Sequence, residues 1–101
     1  MLTNIALTSL RKHLVRSIAY ARYKVGETYH RSEIEQAEIQ ADGRIAVTFV
    51  IDHSAAGDVT VTEVQLCNYR GEVWVQKAEN ITRKAVQEGV LYRFRFMIDE
   101  A

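Results

Sequence analysis

Ala37-Glu38-Ile39-Gln40-Ala41-Asp42-Gly43-Arg44-Ile45-Ala46-Val47-Thr48-Phe49-Val50-Ile51 decides the fold class of this chain. An Asp-Gly pair between two alternating runs is a strong hairpin signal, and its usual type I′ turn needs positive φ at both central residues. Ile45, Val47, Phe49 and Ile51 share one face of the second run. Ala46 and Val50 make the opposite face half apolar, so this strand is expected at the centre of a sheet, covered on both sides.

Working outward, Gly26, Gly43, Gly57, Gly71 and Gly89 punctuate a chain without proline. The runs between them alternate apolar and polar residues, the pattern of an antiparallel sheet. Ile18 to Arg31 reads as a hairpin around Gly26. His53 to Asp58 is expected as a loop, and Asn68-Tyr69-Arg70-Gly71 as a turn leading into the strand Glu72–Gln76. The strand Val59–Cys67 carries a phase error: Val59 and Val61 share one face, Val64 and Leu66 the other. A bulge at Thr62-Glu63 would turn both pairs inward. In the last strand Val90, Tyr92, Phe94, Phe96 and Ile98 point in, and Leu91, Arg93, Arg95 and Met97 point out. Ala78–Glu88 shows no clear period: a loop crossing an end of the sheet is the first reading, with strand and helix left open.

The N-terminal segment has the other period. Leu7, Leu10, Leu14, Ile18 and Ala21 fall on one helical stripe, Thr3 or Asn4 can cap its start, and basic residues crowd its later turns. A helix is predicted over residues 3–17. The expected fold is α+β, mostly β, a single domain over residues 1–101. One N-terminal amphipathic helix packs on a curled antiparallel sheet, sandwich- or barrel-like, of six or seven strands. One helix covers only part of such a sheet, so burying the rest requires curling or a second subunit. A homo-oligomer is therefore expected.

Composition excludes several classes. The 101 residues are 48% apolar and 26% charged, ordinary for a globular domain. No apolar run is long enough to span a membrane, and Met1-Leu2-Thr3-Asn4 lacks the features of a secretory leader. With a single cysteine, Cys67, no internal disulfide is possible, and cytoplasmic synthesis is the expectation. The sequon Asn80-Ile81-Thr82 then reads as chance. Net charge is zero but unevenly placed: residues 1–31 hold six bases and one acid, and residues 32–101 hold seven bases and twelve acids. The two parts therefore carry +5 and −5. That split suits a solvated basic helix over its own sheet, a basic end docking on a neighbouring subunit, or a basic surface for nucleic acid.

No catalytic or cofactor motif emerges. His13, His30 and His53 lie in different elements without metal-ligand spacing. Cys67 has no activating neighbour in sequence and reads as a small buried residue. Asp52, Asp58, Glu63 and Glu72 sit where strand ends and outer faces normally carry acids. The candidate interface residues are Arg11, Lys12, Arg16, Arg22 and Lys24, plus Trp74 as an aromatic anchor if it faces outward. Arg16, Tyr20, Arg22, Tyr23, Lys24 and Tyr29 also interleave bases with aromatics, as single-strand binding surfaces do.

Two stretches resemble phage tail-collar fibre N-terminal domains. Leu2-Thr3-Asn4-Ile5-Ala6-Leu7, followed by Leu10 and Leu14, is similar to the family's opening helix. Val61-Thr62-Glu63-Val64-Gln65-Leu66, then Asn68 to Trp74, is similar to its strand, glycine turn, strand core. The chain departs from the family at Ala6, where an early glycine is usual, and at Val25-Gly26-Glu27, which matches its Gly-Asp-Gly loop only in part. The resemblance implies a non-enzymatic structural role in a phage or prophage tail, virion association, and contacts with itself or other tail components. Two alternatives stand beside it: a small nucleic-acid-binding module using the basic N-terminal third, and a small ligand-binding or enzymatic β-domain.

Overall fold

The computed structural model describes residues 2–51, 58–83 and 90–98. One helix, α1 (Asn4–Ser17), precedes β1 (Tyr20–Val25), β2 (Thr28–Ser32), β3 (Ile34–Ile39), β4 (Ile45–Ile51), β5 (Val59–Cys67), β6 (Val73–Arg83) and β7 (Val90–Phe96). The strands form two antiparallel sheets, ordered β2-β1-β5-β6 and β3-β4-β7. The chain passes from one to the other at Glu33, and Ser32 Oγ donates to the Val50 carbonyl at 2.7 Å across the step. Neither sheet closes on itself among the described residues.

The expected mostly-β architecture with one N-terminal helix is present, but the apolar sheet surface is disposed of differently. Ala21, Tyr23, Val61, Val64 and Leu66 from the first sheet meet Ile45, Val47, Phe49, Ile51 and Phe94 from the second in one buried cluster. The two inner faces thus cover one another, and the helix is not needed as a lid over either. No helix residue is fully buried. Leu14 and Val15 pack against the cluster, and β3 is the strand the helix lies against most closely.

Local chemistry explains the elements. Thr3 Oγ1 accepts from the Ala6 amide at 3.2 Å, satisfying an orphan donor of the first turn. β4 lies between β3 and β7, with Ala46 buried on its outer face as well, as its two-sided apolar pattern requires. The β5 bulge is where the phase error placed it. Against β1 the extra residue is Thr62: Lys24 pairs with Glu63 and Val25 with Val61. Against β6 the register also shifts between Val61 and Glu63, but there the extra residue lies on β6, whose Glu79 and Asn80 fall between the Val61–Ile81 and Glu63–Ala78 pairs. Val59, Val61, Val64 and Leu66 are consequently all buried.

Two sequence expectations are corrected. The Asp42-Gly43 turn is not type I′, because among the described residues only glycines have positive φ. The Gly43 amide donates to the Gln40 carbonyl at 2.9 Å, and the Gln40 amide to the Arg44 carbonyl at 2.7 Å. That is a type I turn followed by a left-handed glycine (φ +88°), a three-residue hairpin loop. Asn68 to Glu72 repeats the same pattern around Gly71. Second, the expected loop from Ala78 is strand as far as Arg83, because β6 continues along β5 to the Val59–Arg83 pair. Residues 84–88 lie outside the described residues, as do most of the expected loop at 53–58 and the residues Asp52, His53, Gly57 and Gly89.

One hydrogen bond joins the sheets at their β6–β7 margin. Tyr92 Oη donates to Glu79 Oε1 at 2.7 Å, and Lys77 Nζ lies 3.1 Å from the same oxygen. The Tyr92 bond holds the Glu79 carboxyl below its ordinary value near 4.5. Burial, then the Glu79 carboxylate, pushes the Tyr92 phenol well up. A lowered carboxyl pKa adds stability that is fully present above about pH 4.5 and is lost as pH falls through the folded-state value. A raised phenol pKa adds stability present below about pH 10 and lost as pH rises through its folded-state value. Tyr92→Phe is therefore expected to cost about 1.5 kcal/mol near neutrality. The gap from wild type should close in acid, measured by urea unfolding across pH.

Candidate functional site

The six candidate interface residues separate into distinct places. Arg11 lies against the β3–β4 turn: a Cβ on Gly43 would sit 2.9 Å from its Nη2. Its buried Nε has no hydrogen-bond partner. Lys12 is exposed on the outer side of α1, beside Ala37–Ile39 of β3. Arg22 and Lys24 point out from β1. Arg16 and Trp74, remote in sequence, line the same groove.

On the outer face of the first sheet, Arg22 Nε and Nη2 donate to Gln65 Oε1 at 3.0 and 2.6 Å, and Gln65 Nε2 donates to Gln76 Oε1 at 2.9 Å. This row ties β1, β5 and β6 together side by side. Tyr29 carries the Arg22 guanidinium 4.9 Å and the Lys24 ammonium 5.6 Å from its ring centre, and donates to Glu63. That bond raises the Tyr29 phenol above its ordinary pKa. The Arg31 guanidinium covers Tyr20 at 4.2 Å. Tyr23, by contrast, is buried and stacked on His30, with ring centres 5.4 Å apart. Of the aromatics that suggested a stacking surface, two are already covered by this chain's own cations and one faces the core.

The groove lies between the C-terminal half of α1 and the β5–β6 turn, and encloses about 380 Å³. Asn68 builds its floor. Its Oδ1 accepts from the Arg70 and Glu72 amides at 3.0 and 2.9 Å, and its Nδ2 donates to Glu72 Oε1 at 2.9 Å. This clamp, with Gly71 at φ +81°, projects Tyr69 and Arg70 outward, and Tyr69 is 80% exposed. Trp74 sits at a second irregularity. Leu66 pairs with Val75 and Cys67 with Val73, leaving Trp74 without an opposed residue. It is 42% exposed, its ring centre 6.3 Å from that of His13 on the helix. Val75 turns inward while Val73 stays exposed, so the simple choice between Trp74 and both valines does not hold.

The third surface is the front of the helix. Leu2, Ile5 and Leu10 stand exposed, Ile5 at 82% and Leu10 at 43%. Leu7 and Leu10 continue the stripe that Leu14 begins against the core.

Cys67 is buried and free, the small core residue its sequence context suggested. Glu63 and Glu72 belong to separate networks, one with Tyr29 and one with Asn68. Among the described residues no cluster of His, Cys, Asp and Glu could hold a metal ion, and no helix is long and apolar enough to cross a membrane. No protein-family model matches the sequence, and neither a curated protein nor a solved structure matches it.

Proposed function

We propose that this chain is a non-enzymatic structural subunit of phage or prophage type, and that it assembles head to tail with further copies of itself. The observation that carries this reading is the first half of α1 with the residues leading into it, where Leu2, Ile5 and Leu10 are exposed to solvent. Contiguous exposed apolar residues mark protein contacts. Charge selects the occupant. The helix carries Arg11, Lys12 and Arg16 and no acid, so two helices face to face would bring like charges together. Residues 32–101 carry the net −5, with Glu33 and Glu35 exposed at the edge strand β3. A basic, apolar helix docking on the acidic surface of the next copy is a heterologous contact, which builds rings or filaments rather than closed dimers. In this reading the two sheets form a sandwich-like body and the helix connects one body to the next. The tail-collar-like segment, residues 61–74, supports the setting: it forms β5, a glycine turn and the start of β6.

Ile5→Asp tests the contact without touching the core, since Ile5 is 82% exposed. Losing one buried isoleucine from an interface, at about 1.5–3 kcal/mol, weakens association roughly 10- to 100-fold. Light scattering across a concentration series should therefore show the variant dissociating at correspondingly higher concentration, with an unchanged unfolding midpoint. Identical association of wild type and variant would remove the helix from the interface.

A further inference from the structure

The groove between α1 and the β5–β6 turn has a chemistry that head-to-tail assembly does not use. It combines two exposed aromatic side chains, Trp74 and Tyr69, with two guanidinium groups, Arg16 and Arg70. Arg16 gives its Nε to the Lys12 carbonyl at 3.3 Å. Its terminal nitrogens, and the whole Arg70 guanidinium, make no hydrogen bond or ion pair among the described residues. Two guanidinium groups against one carboxylate, Glu72, leave the groove a positive balance. Its volume of about 380 Å³ falls within the roughly 300–1,000 Å³ of small-molecule sites.

We propose that this groove binds a nucleotide unit, with the base stacked on Trp74 or Tyr69 and the phosphate held by Arg16 and Arg70. Stacking platforms beside arginines are the common device of single-strand binding surfaces. Each stacked base there contributes about 1–3 kcal/mol, whatever its identity. Guanidinium groups grip phosphate oxygens in pairs, which lysine cannot do. An acidic peptide would satisfy the arginines and leave two flat aromatic faces unused. The outer sheet face lacks this opportunity, because Tyr20 and Tyr29 already carry the chain's own cations. The Asn68 clamp holds Tyr69 and Arg70 in place before any ligand arrives, which lowers the entropy lost on binding.

Trp74 is the only tryptophan in the chain, so its emission reports on the groove alone. The 101-residue chain is titrated with adenosine monophosphate in one arm and with a short single-stranded oligothymidylate in the other. Quenching is expected, and Arg16→Glu and Arg70→Glu should each weaken it about tenfold or more, from loss of a charge-assisted phosphate contact. Circular dichroism is expected to show the fold intact in both variants, since Arg16 and Arg70 are exposed. Quenching by the mononucleotide alone assigns a free nucleotide, and quenching by the oligomer alone assigns a strand. Unchanged emission with both probes, or quenching that survives both substitutions together, overturns the proposal. So does equal displacement by oligoglutamate, which would make the groove a general anion site. Assembly is read separately by light scattering, so failure of one reading leaves the other standing.

Discussion

Deleting Gln65 is expected to unfold this protein, whereas deleting Thr62 in the same strand is expected to leave it folded. The reason is the parity of β5. Val61 and Val64 are three residues apart, an odd interval that a regular strand would send to opposite faces. The bulge absorbs Thr62, and Val59, Val61, Val64 and Leu66 all reach the core. Without Thr62 those four residues alternate regularly. Pairing with β1 becomes continuous, because Lys24 and Val25 already oppose Glu63 and Val61. On the β6 side the mismatch grows, because Glu79 and Asn80 are then left between the Ile81 and Ala78 pairs with no β5 residue opposite. The cost is that stretch of edge ladder and the local bend, about 1–3 kcal/mol, within the range of a tolerated change. Without Gln65, Val64 and Leu66 become neighbours and one of them must face outward. That forfeits about 1.5–3 kcal/mol of burial, leaves a cavity behind it, and removes the Arg22–Gln65–Gln76 row. The sum approaches the roughly 5–15 kcal/mol that a domain of this size has in total. Urea unfolding of the two deletions decides the matter. Equal loss of structure in both would mean that Thr62 does more than correct the phase.

Phe49→Ala carries the second large effect. Phe49 is fully buried at the middle of β4, opposite Ile34 on one side and Tyr92 on the other, its ring centre 5.3 Å from that of Tyr92. It is the largest of the fully buried side chains and belongs to the cluster shared by both sheets. Neighbouring strands are fixed by backbone ladders and cannot collapse into the space. The cost is therefore expected at about 3–5 kcal/mol, a fall of roughly 15–30 °C in Tm. Leu91→Ala on β7 serves as the control, since Leu91 is exposed on the outer face and should shift stability by less than about 0.5 kcal/mol. A small effect at Phe49 would contradict the view that the two sheets stabilise one another through this cluster.

Local patterns carried much of the fold. The N-cap at Thr3, the two-sided β4, the inward set of β7 and the β5 bulge each follow from residue period and parity over a few positions. Pairings distant in sequence did not announce themselves. β1 finds β5 across some forty residues, and the chain changes sheets at Glu33 with no glycine or proline to mark the corner. The second half of β6, Ala78 to Arg83, lacked alternation because an edge strand need satisfy only one neighbour. The Asp42-Gly43 pair marked the hairpin but not its length. Asp42 keeps negative φ, and the left-handed glycine closes a three-residue loop instead. Arg16 and Trp74 could be singled out individually. Their meeting, with His13, Tyr69 and Arg70 beside them, depends on the helix lying across the β5–β6 turn, which no local signal encodes. The consecutive Tyr69-Arg70 in a glycine turn was the one available hint.

The mutual burial of the two sheets also changes what self-association rests on. The inner faces of the sheets bury one another, so the proposed assembly rests instead on the exposed Leu2 and on Ile5 and Leu10 of α1. Light scattering of the 101-residue chain at low and high salt tests this most directly. Head-to-tail docking requires an oligomer that grows with concentration. It should weaken but persist at high salt, because salt screens charge pairs over about 8–10 Å and leaves apolar burial in place. A monomer at both salt concentrations, across the same range of protein concentration, would contradict assembly through the helix.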